Sequence, residues 1–429
     1  MKLNYRRTFF VGLAFLSISA FWQMYDNIIP LILENTFHLN DAIIGAIMAI
    51  DNVLAVFLLP LIGTLSDKVD TRWGKRTPFI VCGTFFAVVF MMLLPIADNA
   101  RILWLFIGAL MLTLLAMASY RSPAVALMPD LTPKPLRSSA NAVINLMGAV
   151  GAIYALVLIR FLVKKGDTPN YMPVFAGIAL LMAVSVLVLV FTINEKKIAR
   201  QIKEEYPEEE ESPEETGAQK GQDKKLGGSV RKSLICILLS VFLWFTAYNA
   251  VTTAFSRYAV KVWGMEGGGF ASCLMVATVA AIISYIPIGV VSSRIGRKKT
   301  ILIGLVMMFI SYTSVFFYPT YHVTANIFFA IIGIGWAAIS VNSLPMVVEM
   351  SKESDIGKYT GVYYTFSMAA QIFTPIASGA LLQYVSYETL FPYAMFFTAC
   401  AFVTMCMVKH GDSKLVKKEK ILEHFDVDD

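Results

Sequence analysis

The sequence predicts an all-α membrane protein with twelve transmembrane helices in two six-helix pseudo-repeats, and three observations carry that prediction. Of the 429 residues, 57% are hydrophobic and 15% are charged, with mean hydropathy +0.65, which leaves too few charges to cover a water-facing exterior of this size. Twelve mostly apolar windows, each of the ~20 residues that a bilayer requires, follow one another along the chain. Between the sixth and seventh windows lies the long polar stretch 194–231, which contains the acidic run 208–211 and is expected to be a disordered cytoplasmic linker. The expected parts are therefore an N-terminal bundle over 1–193, the linker, a C-terminal bundle over 232–408 and a cytoplasmic tail over 409–429.

The windows run 8–33, 43–65, 77–97, 101–124, 138–163, 171–193, 232–260, 268–291, 299–318, 323–348, 359–384 and 388–408. The first follows Lys2, Arg6 and Arg7, as a secretory signal would, but its apolar run continues through Pro30 without a small-residue cleavage site followed by polar sequence. It is expected as a membrane helix. Alternate connections, counted from the N-terminus, hold 30 of the 36 lysines and arginines; the other six are Arg101, Arg160, Lys164, Lys165, Arg257 and Lys261. This bias places both termini on the cytoplasmic side of a multi-pass cell-membrane protein.

Polar side chains within the windows are concentrated in a few of them. Helix one carries Trp22, Gln23, Asp26, Asn27 and Pro30 on one face by i, i+3/i+4 spacing. Asp51 and Asn52 lie in helix two ahead of an otherwise apolar run, and Arg121 lies in the inner half of helix four. Helix five carries Asn141, Asn145 and Gly148, and helix seven carries Tyr248, Asn249, Thr252 and Thr253. Helix ten carries Trp336 and Asn342, and helix eleven has Tyr363, Ser367 and Gln371 at four-residue steps before Pro375. Helices three, six, nine and twelve are nearly devoid of such residues.

An ionisable group inside a bilayer costs about 2.5 to 3.5 kcal/mol on insertion scales, so each is expected to face a cavity or a partner. Asp26, Asp51 and Arg121 are the main charges away from the membrane edges. A desolvated carboxylate can take up and release a proton, and Asp26 and Asp51 are the candidates for that role. The competing reading is permanent pairing with a basic or amide group. Arg121 can pair with either aspartate, bind an anionic group or snorkel to the cytoplasm. The amides, the hydroxyls and the Trp22 plate form a mixture that suits a hydroxylated ring, while polar stripes at this spacing also serve as helix glue.

Several classes are disfavoured. The sequence has no Walker loop, no His-Glu-x-x-His and no paired His/Cys ligands, and His38, His322, His410 and His424 lie at helix ends or in the tail, so no catalytic residue, metal or cofactor is expected. Cys82, Cys236, Cys273, Cys400 and Cys406 sit in apolar runs as small core residues. The net charge of +6 is dispersed between apolar runs, so it reports topology and implies no nucleic-acid partner.

A repeat supports the division into halves. After helix two come Gly63, Ser66, Asp67, Lys68, Arg72, Trp73, Gly74, Lys75, Arg76, Thr77 and Pro78; after helix eight, 226 residues on, come Gly289, Ser292, Ser293, Arg294, Gly296, Arg297, Lys298, Lys299 and Thr300. Each copy is a helix end followed by a glycine, basic residues and a threonine that enters the next helix, the kind of internal repeat from which transporters are built.

These loops and the 6+6 layout resemble the major facilitator superfamily. The 63–80 stretch more narrowly resembles the glycoside/pentoside/hexuronide:cation symporters and the sucrose-transporter-like branch, as does helix four leading through Pro123 to Asp130. The superfamily pattern covers the whole chain and the narrower one mainly 51–145. The resemblance implies a gate network of Gly63, Asp67, Arg72, Gly74, Lys75 and Arg76 that stabilises the outward-facing state. Arg294, Gly296 and Arg297 form a second copy, weaker because Ser293 replaces the acid. Glu349, Lys352, Glu353 and Asp355 are available as its partners.

There are also departures from the family pattern. Ala55 and Leu59 stand where melibiose-type members carry cation-binding aspartates, and Val125 stands where sucrose transporters carry an arginine, with Arg121 one turn earlier. The resemblance implies a secondary transporter, expected to be a monomer, for a sugar or glycoside taken up with a proton. Two alternatives are a proton-driven efflux antiporter for amphipathic molecules and a sensor on a transporter scaffold. The expected substrate-binding residues are Trp22, Gln23, Asp26, Asn27, Asn52, Arg121, Asn141, Asn145, Tyr248, Asn249, Trp336, Asn342, Tyr363 and Gln371, with H+ coupled through Asp26 and Asp51.

Overall fold

The structure is a computed structural model that describes residues 4–133, 136–164, 169–205, 228–350 and 356–412. The N half holds α1 (Tyr5–Asn35), α2 (Asp41–Lys68), α3 (Thr77–Asn99), α4 (Leu103–Asp130), α5 (Arg137–Leu162) and α6 (Met172–Thr192). A short helix, α7 (Glu195–Glu205), follows. The C half holds α8 (Gly228–Lys261), α9 (Ala271–Ile295), α10 (Arg297–Phe316), α11 (Ala325–Glu349), α12 (Ile356–Tyr384) and α13 (Leu390–Cys406), the last entered through a 3-10 turn, Tyr387–Thr389. Among the described residues, twelve helices are long and apolar enough to cross a membrane, each at one of the expected windows.

Local chemistry sets several boundaries. The side chains of Asn4 and Asn40 cap α1 and α2, accepting from the Arg7 and Ile43 amides at 3.1 and 2.9 Å. Prolines lie inside α1, α2, α3, α4, α9, α11 and α12, as spanning helices tolerate when neighbours satisfy the freed carbonyls. Trp104, Phe161, Phe191 and Phe317 are more than 70% exposed at or just past helix ends, where an aromatic belt meets the headgroups.

The expected linker is corrected at both ends. Residues 195–205 form α7, whose Asn194 cap accepts from the Lys197 amide at 3.0 Å and whose Ile198 and Ala199 pack on the core. Gly228 to Arg231 already belong to α8. Residues 206–227, including the acidic run, lie outside the described residues, as does the tail from 413 onward.

The two halves repeat one packing scheme. In the N half the contacting pairs are α1 with α5 and α6, α3 with α4 and α6, and α2 with α4. The C half matches them one for one: α8 with α12 and α13, α10 with α11 and α13, and α9 with α11. Across the molecule α1 meets α8, α2 meets α12 and α5 meets α9.

The end that carries the 63–78 and 289–300 loops is here called the basic end. Polar bonds between the halves, among those described, lie at the far end. Arg257 of α8 pairs with Asp41 of α2, the side chains being 3% and 8% exposed. Lys261 bonds Glu34 at 2.8 Å, and the Tyr387 hydroxyl donates to Asp41 at 2.7 Å and Glu34 at 3.0 Å. Gln383 accepts from the Asp41 amide at 2.9 Å, and Arg160 donates to Ser272 at 2.9 Å. Backbones approach closely there as well, and a Cβ added to Gly45 of α2 would lie 2.0 Å from the Pro375 carbonyl of α12. The halves are thus sealed at the far end.

Candidate functional site

The N half contains a cleft lined by Trp22 of α1, Asp51, Ala55 and Leu59 of α2, and Leu114, Ala118 and Arg121 of α4. Three helices therefore contribute two opposite charges and one indole to a common space. The Arg121 guanidinium lies 5.8 Å from the centre of the Trp22 ring, within cation–π range. Asn52 donates to the Asp51 carboxylate at 2.8 Å, and Arg121 acts on the same carboxylate electrostatically. Asp26 is close enough to Asp51 for the two to repel, and the buried Tyr25 hydroxyl senses both. The Trp22 N–H and the Tyr25 hydroxyl have no hydrogen-bond partner among the described residues.

In the C half, Tyr248 of α8 and Trp336 of α11 stack face to face, ring centres 3.8 Å apart and planes within 4°. Phe245 meets the indole edge-on at 5.2 Å. The pair forms one flat aromatic slab, and α8 is the helix that touches α1 across the molecule. Asn249 and Gln371 are half-buried; the Asn249 side-chain N–H₂ has no partner, and Gln371 reaches only the Ser367 carbonyl at 3.5 Å. Gln23, Asn141 and Asn145 are half-buried on α1 and α5.

Two expected binding residues, Asn342 and Tyr363, bond between helices, and a third, Asn27, bonds within its own helix while its side-chain oxygen has no partner among the described residues. Asn342 is 2% exposed; its amide accepts from Ser292 and donates to the Ala338 carbonyl at 2.9 Å, which ties α9 to α11. Tyr363 is 2% exposed and bonds Ser343 at 2.9 Å between α11 and α12. Asn27 is fully buried and donates to the Gln23 carbonyl at 2.9 Å. Helical spacing alone could not separate these faces, because an amide that glues helices has the same period as one that lines a cavity.

At the basic end Arg76 is the centre of a network. Its guanidinium bonds Asp67 and Ser66 of α2, bonds Asp130 of α4 at 2.8 Å, and reaches the Gly63 carbonyl at 3.4 Å. Burial acts to loosen its proton, but the bond and charge of Asp130, followed by those of Asp67, outweigh this and raise its pKa above the ordinary arginine value. In the second copy Arg297 pairs with Glu349, while Ser293 bonds only the Val290 carbonyl of its own helix. Lys352, Glu353 and Asp355 lie outside the described residues. The side chains of Arg72, Lys75 and Arg294 are exposed. Sequence reasoning missed the far-end set of Glu34, Asp41, Arg257, Lys261 and Tyr387. Its signal was Arg257, a charge inside the seventh apolar window.

Two packed six-helix bundles with charged and aromatic side chains gathered between membrane-crossing helices define a membrane transporter for a small molecule. A family model described as MFS/sugar transport protein matches residues 10–409, and the chain belongs to that family. It is 24% identical over 340 residues to the glucuronide carrier protein homolog of Escherichia coli (strain K12), a match covering 75% of this chain and 68% of that one. It is 28% identical over 120 residues to the sucrose transport protein SUC3 of Arabidopsis thaliana, covering 24% of this chain and 20% of that one. The crystal structure of the nucleoside transporter NupG superposes with TM-score 0.66 at 16% identity, covering 95% of this chain and 100% of that one. The peptide transporter POT in complex with sulfate gives TM-score 0.66 at 14% identity, covering 94% and 93%. These last two likenesses describe a shared fold.

Proposed function

We propose that the protein imports a sugar or glycoside together with a proton across the cell membrane, with its basic end and both termini in the cytoplasm. The observation that carries this reading is the cleft where Asp51 faces Arg121 and Trp22, with Asp26 beside it. Ala55 and Leu59, where the melibiose-type resemblance would put cation-binding aspartates, line the same cleft without offering a carboxylate. Relatives that include a glucuronide carrier homolog and a sucrose transport protein support the sugar class.

The mechanism follows from charge balance. Ionised Asp51 holds Arg121 by Coulomb attraction inside a poorly solvated cleft. A proton entering from the far side neutralises Asp51 and frees the guanidinium for a substrate hydroxyl or ring oxygen. Rocking of the halves then opens the basic end. Water reaches Asp51, the proton leaves, Arg121 returns to the carboxylate and the substrate is released. Trp22 and the Tyr248–Trp336 slab offer apolar faces to the ring, while Gln23, Asp26, Asn52, Asn141, Asn145, Asn249 and Gln371 offer polar partners.

Uptake into proteoliposomes under an imposed pH gradient, with a panel of mono- and disaccharides, tests the proposal. Asp51→Asn is expected to keep substrate exchange and lose proton-driven accumulation. Unchanged accumulation in that variant would remove Asp51 from the coupling role. One feature favours a second reading, since four of the seven cleft residues are aliphatic, as an efflux antiporter for amphipathic molecules would use. Gradient-driven extrusion of lipophilic cations without sugar uptake would establish that reading instead.

A further inference from the structure

We propose that Tyr25 is a proton-relay residue whose phenol hydroxyl passes a proton between Asp26 and Asp51, an inference that rests on the reading of those two aspartates as the coupling pair. The two carboxylates lie at one depth. Asp26 stands nine residues before the far-end terminus of α1 at Asn35, and Asp51 stands ten residues after that of α2 at Asp41. At 1.5 Å of rise per residue, each is about 14–15 Å below the far end, on helices that run antiparallel and touch. Of the two, only Asp51 lines the cleft; Asp26 is half-buried outside it. A proton that moves between Asp26 and the cleft therefore needs a carrier.

Tyr25 is placed for that task. Its side chain is 1% exposed, and its ring is held by Trp22 edge-on at 5.3 Å and by Phe21 at 6.1 Å. Because Trp22 lines the cleft, the phenol stands against the cleft wall. Among the described residues its hydroxyl has no hydrogen-bond partner, while the charges of Asp51 and, less strongly, Asp26 both act on it. A donor left unpaired out of water costs stability, and a ring that only packs is better served by phenylalanine. The same face carries one a turn earlier, Phe21, so packing does not account for the hydroxyl.

With both carboxylates ionised, Asp26, Asp51 and Arg121 together carry one net negative charge, so a single proton neutralises the set on either acid. The hand-off is a double transfer. Protonated Asp26 gives its proton to the phenol oxygen while the phenol's own proton passes to the Asp51 carboxylate. One O–H bond forms on the phenol as the other breaks, Asp26 gains the negative charge that Asp51 loses, and no electron changes hands. The hydroxyl is bonded to neither acid, so no bond is broken before it turns toward one. Once Asp51 holds the proton, its attraction for Arg121 is gone, which ties the transfer to the release of the guanidinium. The reverse transfer returns the proton to Asp26.

The test is time-resolved infrared difference spectroscopy on the full chain after a pH jump, with no substrate present. Asp26→Asn and Asp51→Asn assign the two carboxyl bands by their loss. In Tyr25→Phe, the Asp51 band is expected to respond at the parent rate and the Asp26 band about 10²-fold more slowly, the lower edge of what a positioned proton-transfer group contributes. The thermal midpoint of this variant should match the parent, since the hydroxyl it removes holds no bond, whereas a merely structural role would lower it. Asp51→Asn cuts the same route at its other end and serves as the independent arm should Tyr25→Phe fail to fold. It is expected to slow the Asp26 band as much, and the double variant no further. An Asp26 band at the parent rate in either variant, with Asp51 titrating in the parent, would overturn the relay alone. An Asp51 that does not titrate in the parent would overturn the relay together with the coupling role of Asp51.

Discussion

Arg257 and Asp41 form a pair whose energetics differ from those of the cleft charges. Both side chains are nearly withdrawn from solvent, and Asp41 also takes the Tyr387 hydroxyl, so each ion is compensated only while the other is present. Removing one partner of such a pair costs about 3–5 kcal/mol, whereas replacing both with apolar groups is often neutral. Asp41→Asn is therefore expected to lower the thermal midpoint in detergent, and Asp41→Leu with Arg257→Met to recover most of the loss. Equal melting of the single and double variants would show that the pair carries no stability. The cleft residues were legible in the sequence because an aspartate or arginine inside an apolar window is rare. The Asp41–Arg257 pair was only half legible: Arg257 stands inside an apolar window, but its partner lies 216 positions away at a helix start, where a charge is ordinary.

At the scale of the element, the α2–α12 contact shows why the far end closes as it does. Gly45 lets the Pro375 carbonyl approach to a distance that no side chain allows. Gly45→Val is expected to wedge the far end apart at a cost of about 1–3 kcal/mol to the closed state, by overpacking. Double electron–electron resonance between labels on α2 and α12 should then show the longer far-end distance enriched; an unchanged distribution would mean that the helices slide to accommodate the methyls. The spanning helices could be read from the sequence because lipid demands long apolar runs. α7 could not, because only three of its 11 residues are apolar and the bonds of Glu195 and Asn194 that hold its start are made to distant or local backbone that composition does not show.

Across the whole molecule, the matched packing of the halves was legible through the repeated loop, although the two copies share few side chains. Backbone features carry the likeness: a helix end, a left-handed glycine and an acid seated on the next helix. Ser66 and Ser292, 226 residues apart, show how the chemistry has drifted, since one accepts from Arg76 and the other donates to Asn342. The sequence could not indicate which end of the molecule is shut, because both ends are built from the same kinds of residue and the difference lies in which pairs are engaged.

The stacked Tyr248 and Trp336 rings also give the protein an optical property. An indole lying flat on a phenol ring emits from an environment that changes when a third surface is laid beside it or when water is driven off. With only six tryptophans in the chain, the emission of Trp336 is a sizeable share of the total. A compound that docks on this slab is expected to shift the intrinsic fluorescence of the unlabelled protein in a saturable way, and Trp336→Phe to abolish that shift. Binding could then be titrated by emission spectroscopy before any transport assay is built, and the chromophore would identify the half of the molecule that the ligand has reached.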